Sequence, residues 1–163
     1  MGLSDSPRAK MDVAAKFSLR AVSAADVELI ASVFVACFSA PPWNEPWIPE
    51  AAVRRLSLFA AAPAFRGIVA MDEGRAVAMA VGQIEGWTQG NLFLLQEMCV
   101  LPDRQRTGIG RRLLDQFLSQ LRDIDQVSEV YLLTDRGSDA ESFYLGRGFR
   151  RGDRKIVLKL DLP

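Results

Sequence analysis

The spacing of hydrophobic positions predicts a short strand and two helices at the start of the ordered part of the chain. The strand is Phe17–Ala21, and a helix follows at Ser23–Phe38, where Ser23 is the cap and apolar side chains recur on one face. A second helix begins at Pro49 and ends before Pro63. The four prolines from Pro41 to Pro49 exclude regular helix from the loop between the two helices.

After Pro63 the apolar positions change to the period of strands, and one long amphipathic helix interrupts them. In chain order the predicted elements are strands at Phe65–Met71, Arg75–Trp87 and Leu92–Val100, a helix at Thr107–Ile124, a strand at Val130–Thr134, a helix at Asp139–Leu145 and a strand at Lys155–Leu160. Tight turns make the first three strands antiparallel, and the long helix makes the next strand parallel to its predecessor. The pattern predicts an α/β (α+β) domain over residues 16–163, with a mixed, mostly antiparallel sheet and a flexible leader at residues 1–15.

Composition excludes several classes of function. With 163 residues, the chain is the size of one domain. Lys plus Arg and Asp plus Glu each number 20, so no excess charge favours nucleic acid or an anionic membrane. Histidine is absent, which excludes a Ser-His-Asp or Cys-His apparatus. Cys37 and Cys99 lie in apolar surroundings and are expected to stay reduced. The chain shows neither a signal peptide nor a membrane span, so we expect a soluble, cytoplasmic protein.

The run from Gln105 to Arg112 lies between a predicted strand and the long helix. Gly108 and Gly110 lack a Cβ, so the backbone there can approach a ligand closely. The unpaired N–H groups of the following helix favour an anion such as phosphate. The run is neither the dinucleotide fingerprint nor a P-loop, whose glycines and lysine it lacks. Two glycines before a helix are also found in ordinary connectors.

Two motifs resemble the GNAT superfamily of N-acetyltransferases. Gln105, Gly108 and Gly110 fill the pattern of its acyl-coenzyme-A site, and Tyr144 precedes the Gly148-Phe149 pair by four residues, as on the family's last conserved helix. The order of elements is similar to the family's from Phe17 onwards. The resemblance implies a single GNAT-like domain whose two parallel strands splay to admit coenzyme A. One departure is Gly137, since many members have Asn there to contact the pantetheine arm.

The resemblance also implies how the acetyl donor is held. Acetyl-CoA is expected as co-substrate, with no metal. The implied cofactor-binding residues are Met98, Cys99, Val100, Gln105, Arg106, Thr107, Gly108, Ile109, Gly110, Arg111 and Thr134. The backbone of Met98 to Val100 would pair with the pantetheine arm, and the loop amides would take the pyrophosphate, with added charge from Arg104.

Acetyl transfer to an amine needs a base for the amine and an acid for the departing thiolate. By the resemblance Glu97 is the candidate base, with Glu85 in reserve, and Tyr144 is the candidate acid. The alternatives are a surface carboxylate for Glu97 and a core aromatic for Tyr144. Without histidine or an activated cysteine, direct transfer in a ternary complex is expected; a Cys99 thioester would contradict it.

The resemblance implies that the acceptor binds at the loop between the first two helices, which commonly forms the acceptor wall in the family. Its candidate residues are Trp43, Asn44, Glu45 and Trp47, with Gln83 and Trp87 on the opposite wall. Aromatic faces and a carboxylate suit a cationic amine. A small primary amine is favoured because the sequence shows no charged groove signature for a peptide. The alternatives are a packing role for the tryptophans, acetylation of a protein lysine or N-terminus, and a non-catalytic acyl-CoA sensor or scaffold. Neither nucleic acid nor membrane is expected as a partner, whereas homodimers are common in the family.

Overall fold

Five strands form one mixed sheet in sequence order. The computed structural model describes residues 17–162. The strands are β1 (Phe17–Ala21), β2 (Phe65–Asp72), β3 (Arg75–Gly86), β4 (Asn91–Val100) and β5 (Val127–Tyr131). Neighbours from β1 to β4 are antiparallel, and β5 runs parallel to β4. This confirms the predicted mixed, mostly antiparallel sheet with one parallel pair.

The helices agree with the predicted pattern, with small differences at their ends. They are α1 (Val27–Phe38), α2 (Pro49–Ala60), α3 (Ile109–Asp123) and α4 (Asp139–Leu145). A separate 3-10 turn, Ala24–Asp26, comes before α1, where the Ser23 amide donates to the Asp26 carboxylate at 2.9 Å. Thr107 and Gly108 precede α3 and do not belong to it. None of the helices among residues 17–162 is long and apolar enough to cross a membrane.

The described residues fall into two units, 17–131 and 132–162. The first contains the sheet with α1, α2 and α3, and its core centres on β3 because α1 and α3 both contact this strand. Val77 to Val81 have no exposed surface, as expected for a strand with both faces covered. Phe117 of α3 meets Phe93 of β4 edge-on, with 5.4 Å between the ring centroids.

A β-bulge between β3 and β4 decides which way Glu97 points. Gly82 is opposite Leu95, and its neighbour Val81 is opposite Glu97, so Gln96 is an extra residue on β4. Directly opposed residues share a sheet face and consecutive ones do not, so Leu95 and Glu97 lie on opposite faces. Only glycine fits at position 82, because a Cβ there would lie 2.1 Å from the Leu94 carbonyl oxygen.

The parallel strand lies three residues earlier in the chain than predicted. The strand was expected at Val130–Thr134 but is found at Val127–Tyr131, so Thr134 lies outside it. Asn91, at the start of β4, fixes this register. Its side-chain amide donates to the Asp125 carbonyl at 2.7 Å, and its backbone amide donates to the Gln126 carbonyl at 3.3 Å.

The predicted strand at Lys155–Leu160 was wrong. The segment has no regular structure, and its apolar side chains are exposed by 63 to 84%: Ile156, Val157, Leu158 and Leu160. Alternating apolar and polar residues give local strand propensity, but a strand also needs a ladder partner. No strand occurs among the described residues of the second unit. The expected leader at residues 1–15 lies outside the described residues.

Candidate active site

Glu97 lies on the part of β4 that continues beyond the parallel ladder. β4 and β5 pair from Asn91 and Val127 to Leu94 and Tyr131, whereas β4 runs on to Val100. The Glu97 side chain is only 10% exposed. Its Oε1 accepts two hydrogen bonds from Arg55 of α2, from Nε at 2.9 Å and from Nη2 at 2.5 Å. Among residues 17–162, no hydrogen bond to Oε2 is formed, so one carboxylate oxygen is held and the other is available.

The electrostatics of Glu97 suit a proton acceptor. Burial raises the pKa of its carboxyl, the Arg55 guanidinium opposes part of this rise, and the Glu45 carboxylate adds to it. The ordinary glutamate pKa is far below neutral, where a carboxylate is a weak base. A raised pKa brings the proton affinity closer to that needed at neutral pH. The structure therefore places a buried carboxylate with enhanced basicity beside the open end of β4.

Arg55 is held from several sides. Its guanidinium lies 5.8 Å from the ring centre of Trp47 and 5.1 Å from that of Phe59. Trp47 in turn donates its indole N–H to the Glu45 carboxylate. Glu45, Trp47, Arg55 and Glu97 thus form one connected cluster, which brings together the predicted base and two residues of the predicted acceptor loop.

Both tryptophans of this loop pack against α1. The Trp47 ring meets Phe34 edge-on at 4.8 Å, and the Trp43 ring lies 5.8 Å from Phe38. Both indoles are half-buried, whereas Asn44 and Glu45 are exposed. The packing interpretation of the tryptophans therefore describes their contacts, and the polar positions between them face solvent.

The candidates on β3 lie further along the sheet. Glu85 is opposite Leu92, four positions from Val81, which is roughly 13 Å at the rise of a strand. Both Glu85 oxygens accept from the hydroxyl of Tyr131, at 2.9 Å each. Burial and this contact raise the pKa of Tyr131 to about 12, so it stays a neutral phenol. Trp87 is 65% exposed after the end of β3.

Gln96, the extra residue of the bulge, has an unsatisfied polar atom. Its amide oxygen is buried and has no hydrogen-bond partner among residues 17–162. Buried polar groups are nearly always paired, so this atom is an exception within the part of the chain that the structure describes. It adjoins Glu97 on the stretch of β4 that includes Met98, Cys99 and Val100.

The start of α3 has the features of an anion site. Gly108 is the N-cap in a left-handed conformation, with φ of 86°, and no side chain caps the helix. The first turn contains no acidic residue, and Arg111 and Arg112 place positive charge where the helix dipole disfavours it. A Cβ at Gly108 would meet nothing within 4 Å, so the backbone there is open. An anion at this end would offset both the dipole and the arginines.

The loop before α3 is anchored to the end of β4. The Gln105 side chain donates to the Val100 carbonyl at 3.2 Å, and the Thr107 hydroxyl donates to the Arg104 carbonyl at 2.6 Å. Residues 105 to 108 are exposed. Arg104, expected to add charge for phosphate, is instead paired with Asp72 at 2.6 Å. Arg106 has a positive φ of 60°, which places a non-glycine residue in the left-handed region.

The two cysteines are free thiols, as predicted. Contact with the Cys37 thiol and burial both raise the pKa of Cys99 well above its ordinary value. The thiolate is the nucleophilic form of cysteine, so this environment disfavours attack by Cys99.

The second unit contains α4 and the motif in which Tyr144 precedes the Gly148-Phe149 pair. Ser138 caps α4 by accepting the Glu141 amide at 3.0 Å. Tyr144 meets Phe143 and Phe149 edge-on, at 5.3 and 5.4 Å between ring centroids. Gly137 adopts a φ of 76°, and its amide donates to the Glu141 carboxylate. Thr134 is exposed before this helix.

Comparison with known proteins decides the family. A family model described as an acetyltransferase (GNAT) domain matches residues 58–151, more than half of the chain. The chain belongs to the GNAT acetyltransferase family. The protein is thus an acyltransferase. The matched region runs from the end of α2 through the bulge and the glycine loop, whereas Trp47 and Arg55 lie before it. No curated protein gives a significant match.

Solved structures share the GNAT fold at low sequence identity. An aminoglycoside acetyltransferase, meta-AAC0020, from an uncultured soil metagenomic sample is 19% identical, with a TM-score of 0.68 over 90% of this chain and 97% of that chain. The aminoglycoside N-acetyltransferase AAC(6')-Iy in complex with CoA is 16% identical, with a TM-score of 0.70 over 90% and 95%. The ribosomal-protein-alanine N-acetyltransferase of Brucella melitensis is 14% identical, with a TM-score of 0.70 over 88% and 99%.

Three residues that contact or adjoin the candidate site residues were not predicted from the sequence. Arg55 lies 42 residues before Glu97, and Tyr131 lies 46 residues after Glu85. Such distant pairs leave no local signal. Gln96 was passed over because an extra residue in a strand is recognisable only from the pairing register. The glycine at position 82 was the one available hint, since glycine within a strand often marks a bulge.

Proposed function

We propose that this GNAT protein is an N-acetyltransferase that moves an acetyl group from acetyl-CoA to the primary amine of a small molecule, by direct transfer in a ternary complex. The observation that carries the proposal is Glu97, a carboxylate of raised pKa with one oxygen unbonded, on the β4 stretch beyond the parallel ladder. An amine is mostly protonated at neutral pH and must lose a proton before it attacks. Glu97 takes that proton in this proposal.

The donor binds along β4 and the start of α3. The backbone of Met98, Cys99 and Val100 pairs with the pantetheine arm. The uncapped first turn of α3 supports a phosphate-bearing ligand. The backbone amides from Gln105 to Arg111 bind the pyrophosphate. Thr134 is the remaining cofactor-binding residue.

Tyr144 acts as the acid that protonates the departing thiolate. This role rests on the family motif in which a tyrosine precedes a Gly-Phe pair. We expect Tyr144→Phe to lower kcat about tenfold or more while the Kd for acetyl-CoA changes little, because a proton donor acts in the transition state. Steady-state kinetics and calorimetry measure the two quantities. Equal kcat in both proteins would remove Tyr144 from the mechanism.

The acceptor is a small cationic amine that reaches Glu97 past the loop of Asn44 and Glu45. An exposed carboxylate beside indole rings favours a cation over a neutral or anionic acceptor. Two of the structural relatives are named aminoglycoside acetyltransferases, which is consistent with a small polyamine. Another is named for acetylation of a ribosomal protein's alanine, so an N-terminal amine is the second candidate.

The deciding experiment measures release of coenzyme A thiol over a panel of small amines and peptides, beside calorimetric binding of acetyl-CoA. Turnover with small amines above that with peptides supports the proposal, and the reverse order favours a protein acceptor. Tight acetyl-CoA binding without turnover on any amine would indicate a sensor. Glu97→Gln should lower kcat about a hundredfold and abolish the acidic limb of the pH profile.

A further inference from the structure

We infer that Arg55 is a positioning residue for acetyl transfer, which holds the Glu97 carboxylate by one oxygen and presents the other to the acceptor amine. The inference rests on the proposed function, in which Glu97 is the base. Arg55 belongs to α2 and lies before the region matched by the family model, so the family motifs do not assign it a role.

The hydrogen-bond geometry fixes the orientation of the carboxylate. Nε and Nη2, neighbouring donors on one edge of the guanidinium, both donate to Glu97 Oε1. Two donors on one rigid planar group fix the position of Oε1 more closely than a single flexible donor does. Because Oε2 has no partner among the described residues, it is the oxygen left to accept a proton.

Arg55 is itself held in place by aromatic contacts. Phe59, one helical turn further along α2, and Trp47 both lie within 6 Å of the guanidinium carbon. The Arg55 side chain is 42% exposed and has room to move, so these rings limit the orientations that it adopts. The Trp47 ring therefore orients Arg55 in addition to packing the loop against Phe34.

The charges around Glu97 make Arg55 the group that keeps it ionised. The Arg55 cation comes from α2, the Glu45 carboxylate comes from the loop before α2, and the Cys99 thiol, which interacts with Glu97, comes from β4. The Cys37 thiol of α1 contacts Cys99. Without Arg55, Glu97 would be a buried carboxylate facing Glu45, and it would hold its proton to a higher pH. A base that remains protonated cannot accept a proton from the amine.

Arg54 provides a matched control on the same helix. Its side chain lines the groove between α1 and α2, together with Glu28 and Glu50. Arg54→Gln makes the same change of net charge as Arg55→Gln, one residue away. A general effect of charge or of helix stability would appear in both variants, whereas loss of the contact to Glu97 would appear only in Arg55→Gln.

The test compares the pH dependence of kcat in the wild type, Arg55→Gln, Arg55→Lys and Arg54→Gln. We expect Arg55→Gln to shift the acidic limb to higher pH, so that kcat on that limb falls about tenfold. Arg55→Lys keeps the charge but not the paired donors, so its limb should stay in place while its plateau kcat falls. Arg54→Gln should match the wild type in both respects. A limb in Arg55→Gln that coincides with the wild type's would overturn the inference.

A second measurement separates this inference from the proposed function. Carbon-13 NMR of labelled glutamate carboxyls follows the titration of Glu97 without any turnover, and Glu97→Gln identifies its resonance. If Arg55→Gln raises the titration midpoint while Glu97→Gln keeps the acidic limb, the base role is wrong and the contact between Arg55 and Glu97 stands. If Glu97→Gln loses the limb but Arg55→Gln leaves the midpoint unchanged, only the inference fails. If Arg55→Gln does not fold, an Arg55→Lys variant with the wild-type plateau kcat would overturn the inference.

Discussion

At the residue scale, the burial of Glu97 favours its role as a base but destabilises the fold when the carboxyl is ionised. Its burial raises the carboxyl pKa above the ordinary value, and the hydrogen bonds and charge of Arg55 offset only part of that rise. A group whose pKa is higher in the folded state binds its proton more tightly there, so folding stability falls as pH rises through the folded pKa. The property that makes Glu97 a candidate base therefore makes its ionised form costly to the fold.

Glu97→Gln should consequently have a higher free energy of unfolding than the wild type at pH 8, and nearly the same one at pH 4. At pH 4 the native carboxyl is largely protonated, and the neutral amide gains little over it. At pH 8 the variant avoids a buried charge, while the half-exposed Arg55 remains solvated. The free energy of unfolding in urea at the two pH values measures the difference.

Glu129→Gln is the matched control, because that side chain on β5 is exposed. We expect it to leave the pH dependence of stability as in the wild type. A wild type that gains stability over Glu97→Gln as pH rises would show that the contact with Arg55 outweighs burial, and would contradict a raised pKa for the Glu97 carboxyl.

At the element scale, two glycines connect backbone geometry to chemistry. Gly82 permits the close approach of β3 and β4 at the bulge, and the bulge places Glu97 on the sheet face opposite Leu95. Gly108 permits the left-handed turn that begins α3 without a side-chain cap. The bulge at Gly82 orients the candidate base, and the turn at Gly108 leaves a helix terminus open to an anion.

Gly108→Ala should reduce both stability and affinity for coenzyme A. An L residue in the left-handed region costs about 1 kcal/mol or more, although a Cβ at this position meets no atom within 4 Å. If the turn shifts to relieve this strain, the amides that face the phosphate shift with it, and the Kd for coenzyme A should rise severalfold. Urea unfolding and calorimetry measure the two effects.

Gly86→Ala is the control within the same unit, because its Cβ also meets nothing within 4 Å and its φ is not positive. It should change neither property appreciably. Lower stability of Gly108→Ala with unchanged affinity would mean that the loop is an ordinary connector and that coenzyme A is held elsewhere.

At the scale of the whole molecule, the absence of histidine and the state of the thiols constrain the reaction order. No Ser-His or Cys-His pair is available in the sequence, and burial beside Cys37 keeps the pKa of Cys99 high. A covalent acyl-enzyme on Cys99 would need the thiolate, which this environment disfavours. Direct transfer requires both substrates to be bound together.

Initial-velocity plots against both substrates should therefore intersect, and Cys99→Ala should retain kcat within about threefold. Two-substrate kinetics of the wild type and the variant make the measurement, and Cys37→Ala controls for the loss of packing. Parallel lines in the wild type, together with loss of turnover in Cys99→Ala alone, would establish a covalent intermediate instead.

Much of the fold followed from the sequence, because local patterns specify which residues form an element. The helical spacing from Leu113 to Leu121 predicted α3, and the turn at Gly74 predicted the hairpin of β2 and β3. The glycine loop and the Tyr144 motif indicated the GNAT family, which the family match confirmed. These signals are short-range, so one chain is enough to read them.

What the sequence could not supply was the relation between distant elements. Periodicity alone gives Phe93, Leu95 and Glu97 the same face, and the bulge at Gln96 reverses that for Glu97. Likewise, strand propensity alone predicted a final strand at Lys155–Leu160, where the structure has none.

The sequence by itself therefore determined the helices and the antiparallel strands, the loop that suits a phosphate and the family. Only the tertiary structure decided that Glu97 meets Arg55, that one of its oxygens stays unbonded, and that β5 ends at Tyr131. The physical reason is that backbone propensity acts over a few residues, whereas the face, partner and protonation of a side chain depend on ladder register and on charges brought from elsewhere in the chain.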